Sequence, residues 1–272
     1  MSGLPEGSSA RRVCFEFILM KTILITGATS GIGQALAELL CKRNAGYRLV
    51  LCGRRQDRLD AFETAHKGET EICSLCFDVR DQEAVEKAIN GLKSPFDEID
   101  VLINNAGNAH GFEPIQDGDT RDWEAMLDIN VKGLLYVSKA VIPGMIERKR
   151  GQIINMGSIA GKEPYPSGNV YCASKAAVDS LTYGMRMDLH MHNIRVAAVH
   201  PGLVETEFSG VRFKGDQNRA AKVYEGLEPL TAHDVAATLA FMIEQPEHVN
   251  VADVLLLPTA QADATRTHRV TG

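Results

Sequence analysis

The sequence has no basic excess: 29 Lys and Arg stand against 35 Asp and Glu, for a formal net charge of −6. Nucleic acid is bound by clustered positive surface, so it is excluded as the main partner. Long apolar runs are missing as well. None approaches the roughly 20 residues that cross a bilayer, and no membrane partner is expected. Aromatic residues make up 6% of the chain, with a single tryptophan, Trp123, read as a packing anchor. Six cysteines among 272 residues suggest no disulfide framework, and the expected location is the reducing cytoplasm. Cys73 and Cys76 form a C-x-x-C in a segment that reads as a strand. Positions three apart in a strand face opposite sides, so the pair is expected to be inert core thiols. His190 and His192 are two apart near a helix end and cannot share a helix face. No metal site is expected.

What is present suits one α/β domain, since 272 residues are too few for two comfortable ones. Residues 1–19 hold only a short apolar stretch, Val13 to Leu19, interrupted by Glu16. That is no signal-peptide core, and 1–19 reads as an extension, or as an upstream start with Met20 as the functional beginning. From residue 20 to 257, apolar runs alternate with helical segments. Strands are expected at Thr22–Ile25, Arg48–Leu51, Glu71–Phe77, Val101–Ile103, Gln152–Met156, Ile194–Val199 and Val254–Leu257. Helices are expected at Gln34–Arg43, Arg58–Ala65, Asp81–Leu92, Asn169–Met191 and Thr231–Glu244, the last opening with Thr231 as its cap. Two more occupy about Thr120–Lys149, with a bend at Pro143-Gly144. Continuous apolar strands alternating with helices imply a doubly wound Rossmann fold, a seven-stranded parallel sheet flanked by helices. Residues 258–272 are polar and read as a tail.

The first strand runs into Gly27-Ala28-Thr29-Ser30-Gly31-Ile32-Gly33, which opens a helix. In that context a glycine motif is a phosphate cradle: glycine permits a tight turn, and the free N–H groups of the helix end attract an anion. About twenty residues on, an enzyme using NAD places an acid for the ribose hydroxyls. Gly53 stands there instead, followed by Arg54 and Arg55. Guanidinium forks match a 2′-phosphate, so the cofactor reads as NADP(H); the alternative is a solvated basic helix start. Tyr171 and Lys175 are four apart and share a helix face. A nearby ammonium favours phenolate, which would let Tyr171 exchange a proton with a substrate hydroxyl. Ser158, just after the fifth strand, can polarise the substrate oxygen.

These motifs, with Asn104-Asn105-Ala106-Gly107 and Pro201-Gly202 in this order and spacing, closely resemble the short-chain dehydrogenase/reductase family from about Lys21 to Leu257. The resemblance implies catalysis by Ser158, Tyr171 and Lys175, with Asn130 anchoring a proton relay; the alternative for Asn130 is a helix asparagine bonded only to backbone. It also implies cofactor contacts at the glycine turn and at Asp78, Val79, Asn105, Gly107, Tyr171, Lys175, Pro201, Gly202, Val204 and Thr206. Asp78 reads equally as a helix cap. Family members form dimers and tetramers, so a homo-oligomer is implied. The segments Trp123–Met126, Pro143–Met145, Gly168–Tyr171 and Val211–Asp216 resemble one branch, the NADP-dependent 3-hydroxy acid dehydrogenases, which includes serine and L-allo-threonine dehydrogenases. The implied substrate is a small 3-hydroxy acid. Arg212 and Lys214, in the segment where the family carries its lid, would attract the carboxylate, or else are solvent-facing charges. Two other readings stand beside this one: a broad carbonyl or steroid reductase, and a non-catalytic NADP-binding regulator.

Overall fold

A computed structural model describes residues 20–43 and 46–270. The extension at 1–19 and the last two residues of the expected tail lie outside the described residues. The chain lays down β1 (Lys21–Thr26), α1 (Gly31–Arg43), β2 (Tyr47–Gly53), α2 (Gln56–Ala65), β3 (Glu71–Cys76), α3 (Gln82–Asn90) and β4 (Val101–Asn104). Next come α4 (Thr120–Leu127), α5 (Leu134–Arg148), β5 (Gly151–Met156), α6 (Ile159–Lys162), α7 (Asn169–Leu189) and β6 (Ile194–Pro201). The last part holds β7 (Val204–Glu205), α8 (Phe208–Arg212), α9 (Gln217–Lys222), β8 (Leu230–Thr231), α10 (Ala232–Ile243) and β9 (Asp253–Leu256).

Seven strands form one sheet in the order β3-β2-β1-β4-β5-β6-β9, and every pairing in it is parallel. Consecutive side chains of each strand enter opposite layers. Ile23 and Ile25 of β1 pack with Leu36 and Leu40 of α1 and Leu239 and Ile243 of α10. Leu24, between them, packs with Val85 of α3 and Val137 and Met145 of α5. Both faces are therefore covered, which explains why the strands read as unbroken apolar runs; each such side chain contributes about 1.5–3 kcal/mol on burial. The parallel register brings Thr26, Asn104, Met156 and Pro201 to one edge of the sheet. The orphan groups of the strand ends and the helix starts meet along that edge.

The helix ends behave as their capping residues dictate. Thr231 forms a reciprocal capping box with Asp234, and Asp81 accepts from the Ala84 amide to cap α3. Elsewhere the structure departs from the sequence expectation. The long helical stretch does not end at Pro143, which sits inside α5. Its irregularity is a π turn at Asp128–Gly133, joining α4 and α5 into one run of 29 residues that is long and apolar enough to cross a membrane by length and composition. Dividing that run in two concealed this length; its residues Val137, Val141 and Met145 are buried against the sheet. Cys73 packs against the core, but Cys76 is exposed, because β3 is an edge strand. The five described cysteines are free. The expected tail is also corrected: Pro258 to Val270 folds back. The Gln261 side chain is buried and accepts from the Leu203 amide at 2.9 Å, and the Val270 amide donates to the Gly226 carbonyl at 2.8 Å.

Candidate active site

At the carboxyl edge of β1, Gly27 (φ 67°) and Gly31 (φ 55°) adopt left-handed conformations that side chains resist. The turn they make ends at the first free amides of α1. A Cβ at Gly33 would stand 2.5 Å from Asn105 Nδ2, so only glycine lets β4 approach. The same Asn105 amide donates to the carbonyls of Thr26 (2.9 Å) and Gly27 (3.2 Å), tying β4 to the turn. Thr29, Ser30, Gly31 and Ile32 line a cleft of about 700 Å³. Ala28 and Gly33 are buried beneath it and serve as support.

Arg55 lies over this turn. Its Nη2 donates to the Thr29 carbonyl (3.2 Å), Thr29 Oγ1 (3.0 Å) and Ser30 Oγ (2.7 Å). Arg58, absent from the sequence expectation, joins it with a 3.1 Å bond to the Thr29 carbonyl. Arg55 precedes α2 with extended backbone while Arg58 lies in its first turn, so helix spacing did not pair them in advance. Arg54 also lines the cleft and sits 3.6 Å from Asp78. Asp78 is no helix cap, since Asp81 holds that position; it lines the cleft with Val79 and takes a two-pronged bond from Arg80. Burial disfavours its ionisation, yet the bonds from Arg80 and the charge of Arg54 outweigh burial and hold the carboxyl below its ordinary range.

Tyr171 and Lys175 rise from α7 into the floor of the cleft. Burial pushes the Tyr171 hydroxyl above its ordinary range, with Tyr165 adding to the effect; Ser158 and Arg212 pull the other way and are outweighed. Burial also lowers the Lys175 ammonium to about 8, and its Nζ donates to the Met156 carbonyl at 2.8 Å. Ser158 opens α6, accepting from the Ala160 amide. Asn130 sits in the π turn, a feature that re-aims side chains inside helices. It is buried behind the cleft wall, exchanges 2.9 Å bonds with both backbone groups of Asn108, and donates to Ser174 Oγ at 3.0 Å. A Cβ at Gly107 would touch Asn130 Oδ1 at 2.9 Å and Lys175 Nζ at 3.4 Å. Cys172 and Trp123 belong to a small apolar cluster beside Tyr171 and do not line this cleft.

Asn105, Gly107, Pro201, Gly202, Val204 and Thr206 complete the long wall. Beyond them α8 hangs over the opening and carries Arg212. Its guanidinium carbon stands 4.6 Å from the Phe112 ring centre, 5.5 Å from Tyr165 and 5.6 Å from Tyr171. Nη1 donates to the Tyr165 hydroxyl at 2.9 Å, while the buried Nη2 has no partner among the described residues. Lys214 is corrected: it pairs with Asp122 at 2.9 Å and does not reach the cleft. Sequence reasoning missed Tyr165, Phe112 and the returning C-terminal residues Ala264, Thr265, Thr267 and Arg269, all of which line the opening.

Known proteins resemble this chain in sequence and in fold. The short chain dehydrogenase family model matches residues 21–217. The NADP-dependent 3-hydroxy acid dehydrogenase YdfG of Salmonella typhimurium is 44% identical over 243 residues, covering 89% of this chain and 96% of that protein. Serine 3-dehydrogenase of Rhizobium radiobacter is 43% identical over 243 residues, with the same coverage. Among solved structures, the closed form of serine dehydrogenase complexed with NADP+ matches with a TM-score of 0.85 and 41% identity, over 92% of this chain and all of that one.

Proposed function

The chain belongs to the short-chain dehydrogenase/reductase family, and from that premise we propose an NADP(H)-linked oxidoreductase that interconverts small 3-hydroxy acids and 3-keto acids. The glycine turn fits a pyrophosphate, because its positive-φ backbone and the amides of α1 offer donors where a side chain would block approach. Arg55 and Arg58 over Thr29 and Ser30 fit a 2′-phosphate better than a hydroxyl. The cofactor, when bound, supplies or accepts the hydride; the chain's own residues handle the proton and the substrate. Tyr171, held protonated by burial, donates its hydroxyl proton to the oxygen of a carbonyl substrate and recovers it in the oxidative direction. Ser158 bonds the same oxygen, and Lys175 offsets the charge that develops on Tyr171. Asn130 acts by fixing the Asn108 backbone and Ser174 around the lysine. Relatives carrying 3-hydroxy acid and serine dehydrogenase names support the substrate class, and the free thiols suit a reducing cytoplasm.

The observation that carries the substrate class is Arg212. A cation with an unpartnered buried donor, walled by three aromatic rings and facing Tyr171, is matched by a carboxylate near the reacting carbon. An unsatisfied buried donor costs about 1–3 kcal/mol, which an anionic substrate would recover. Comparing each acid with its methyl ester tests this. Arg212→Ala should lower kcat/KM for the acids by about ten- to a hundredfold and leave the esters nearly unchanged. Esters that match acids in the wild type would favour the broad carbonyl reductase. We further propose a homo-oligomer, supported by the exposed stripe Tyr183, Met187 and Met191 along and just past α7; a monomer in light scattering would remove that claim.

A further inference from the structure

Glu207 lies at the stem of the segment over the cleft, between the lining residue Thr206 and the start of α8. Its two carboxylate oxygens are shared between two guanidiniums: Oε2 stands 3.1 Å from Arg55 Nη1, and Oε1 2.8 Å from Arg58 Nη1. The same guanidiniums grip Thr29 and Ser30. Hydrogen bonds from Arg58 and Arg55, offset in part by burial, hold the Glu207 carboxyl below its ordinary range. A 2′-phosphate bound by these arginines would compete with Glu207 for their positive charge, since Glu207 holds Nη1 of each. Two anions cannot share them without repulsion, and a phosphate ester carries more charge than a carboxylate. Thr206 also rests on the turn itself, since a Cβ at Gly31 would stand 3.5 Å from the Thr206 Cβ.

We infer that Glu207 is an internal competitor for the cofactor's 2′-phosphate, and that phosphate binding frees the stem of the segment carrying Arg212. The inference rests on the NADP(H) reading. The stem is well placed to transmit the change. Phe208 follows Glu207 directly, and its ring centre lies 5.6 Å from that of Tyr171. Arg212 lies one turn further on in α8. Phosphate on the nucleotide side would thus loosen the element that carries the substrate-facing cation, so that cofactor enters before the lid settles. Glu207 is half exposed and packs little, so its removal should not disturb the fold.

The test uses adenosine 2′,5′-bisphosphate and adenosine 5′-monophosphate as probes on the full chain, with binding measured by calorimetry. Wild type should prefer the bisphosphate. Glu207→Gln and Glu207→Ala should bind the bisphosphate about three- to tenfold more tightly, the scale of two exposed ion pairs, and the monophosphate as wild type does. Trypsin cleavage between Arg212 and Lys222 should quicken in wild type when the bisphosphate is added, and should be fast in both variants without it. Equal wild-type affinity for the two probes would overturn the NADP(H) reading, and this inference with it. A wild-type preference with unchanged or weaker bisphosphate binding in the variants would sink the inference alone, showing that Glu207 preorganises the arginines. Tighter binding with unaltered cleavage would leave the competition and overturn the release.

Discussion

His200 gives the sharpest test of how this fold handles charge. It is fully buried at the end of β6, with the ring pressed against Gly157. Its Nε2 stands 3.2 Å from Asp253 and 3.4 Å from Asp179, but Lys162 from the end of α6 already pairs with both acids, at 2.8 and 3.4 Å. Burial first, and then the charge of Lys162, hold the His200 pKa below its ordinary value, against the pull of Asp253 and Asp179. The folded chain therefore keeps a neutral imidazole at pH values where the unfolded chain, with a pKa near 6.5, takes up a proton. More protons bound in the unfolded state mean that stability rises with pH. The contribution is intact above about pH 6.5 and is lost as pH falls below it, by at most about 1.4 kcal/mol between pH 7.5 and 5.5. The assay is urea unfolding at those two pH values, at fixed protein concentration, for wild type and His200→Gln. Taking the difference between proteins cancels the other titrating groups. Wild type should lose about 1 kcal/mol more than the variant on acidification. An equal loss would refute the reasoning. A smaller loss in wild type would mean that the imidazole is charged in the fold and bonded to the two aspartates.

Two further outcomes are expected. Tyr171→Phe removes only the proton-carrying hydroxyl, so kcat should fall by about 10²–10⁴ while cofactor affinity, read by fluorescence quenching, stays within about twofold; near-normal turnover would end the proposed role. A chain stopped after Leu257 loses the Gln261 bond to Leu203 and the Arg269 bonds to the Lys222 and Val223 carbonyls. Each lost bond is worth about 0.5–1.5 kcal/mol, so substrate KM should rise about tenfold and the 208–227 segment should become protease-sensitive. Unchanged kinetics would restore the polar segment to the status of a tail.

Much of the cofactor side could be read from the sequence because it is built locally. A glycine turn between a strand and a helix, and arginines just past the second strand, are fixed by chain neighbours. Tyr171 and Lys175 share a face simply by being four apart on α7. Arg212 was singled out, but its aromatic surroundings were not, because Phe112, Tyr165 and Tyr171 approach it from three different parts of the chain. Lys214, two residues away, faces Asp122 instead, and spacing alone did not distinguish the two cations.

The sequence by itself determined the layered α/β fold, since the alternation of apolar runs and helices leaves a doubly covered parallel sheet as the way to bury them. It determined as well the ends of helices such as α10, where Thr231 and Asp234 act within one turn. Tertiary structure alone decided which charges meet. Glu207 reaches Arg58 across 149 residues, Lys162 reaches Asp253 across 91, and the last residues return to cover the cleft. Periodicity and caps are short-range properties, readable within a turn or two. Partners brought together by the return of distant segments depend on the whole packed arrangement, and no local pattern encodes them.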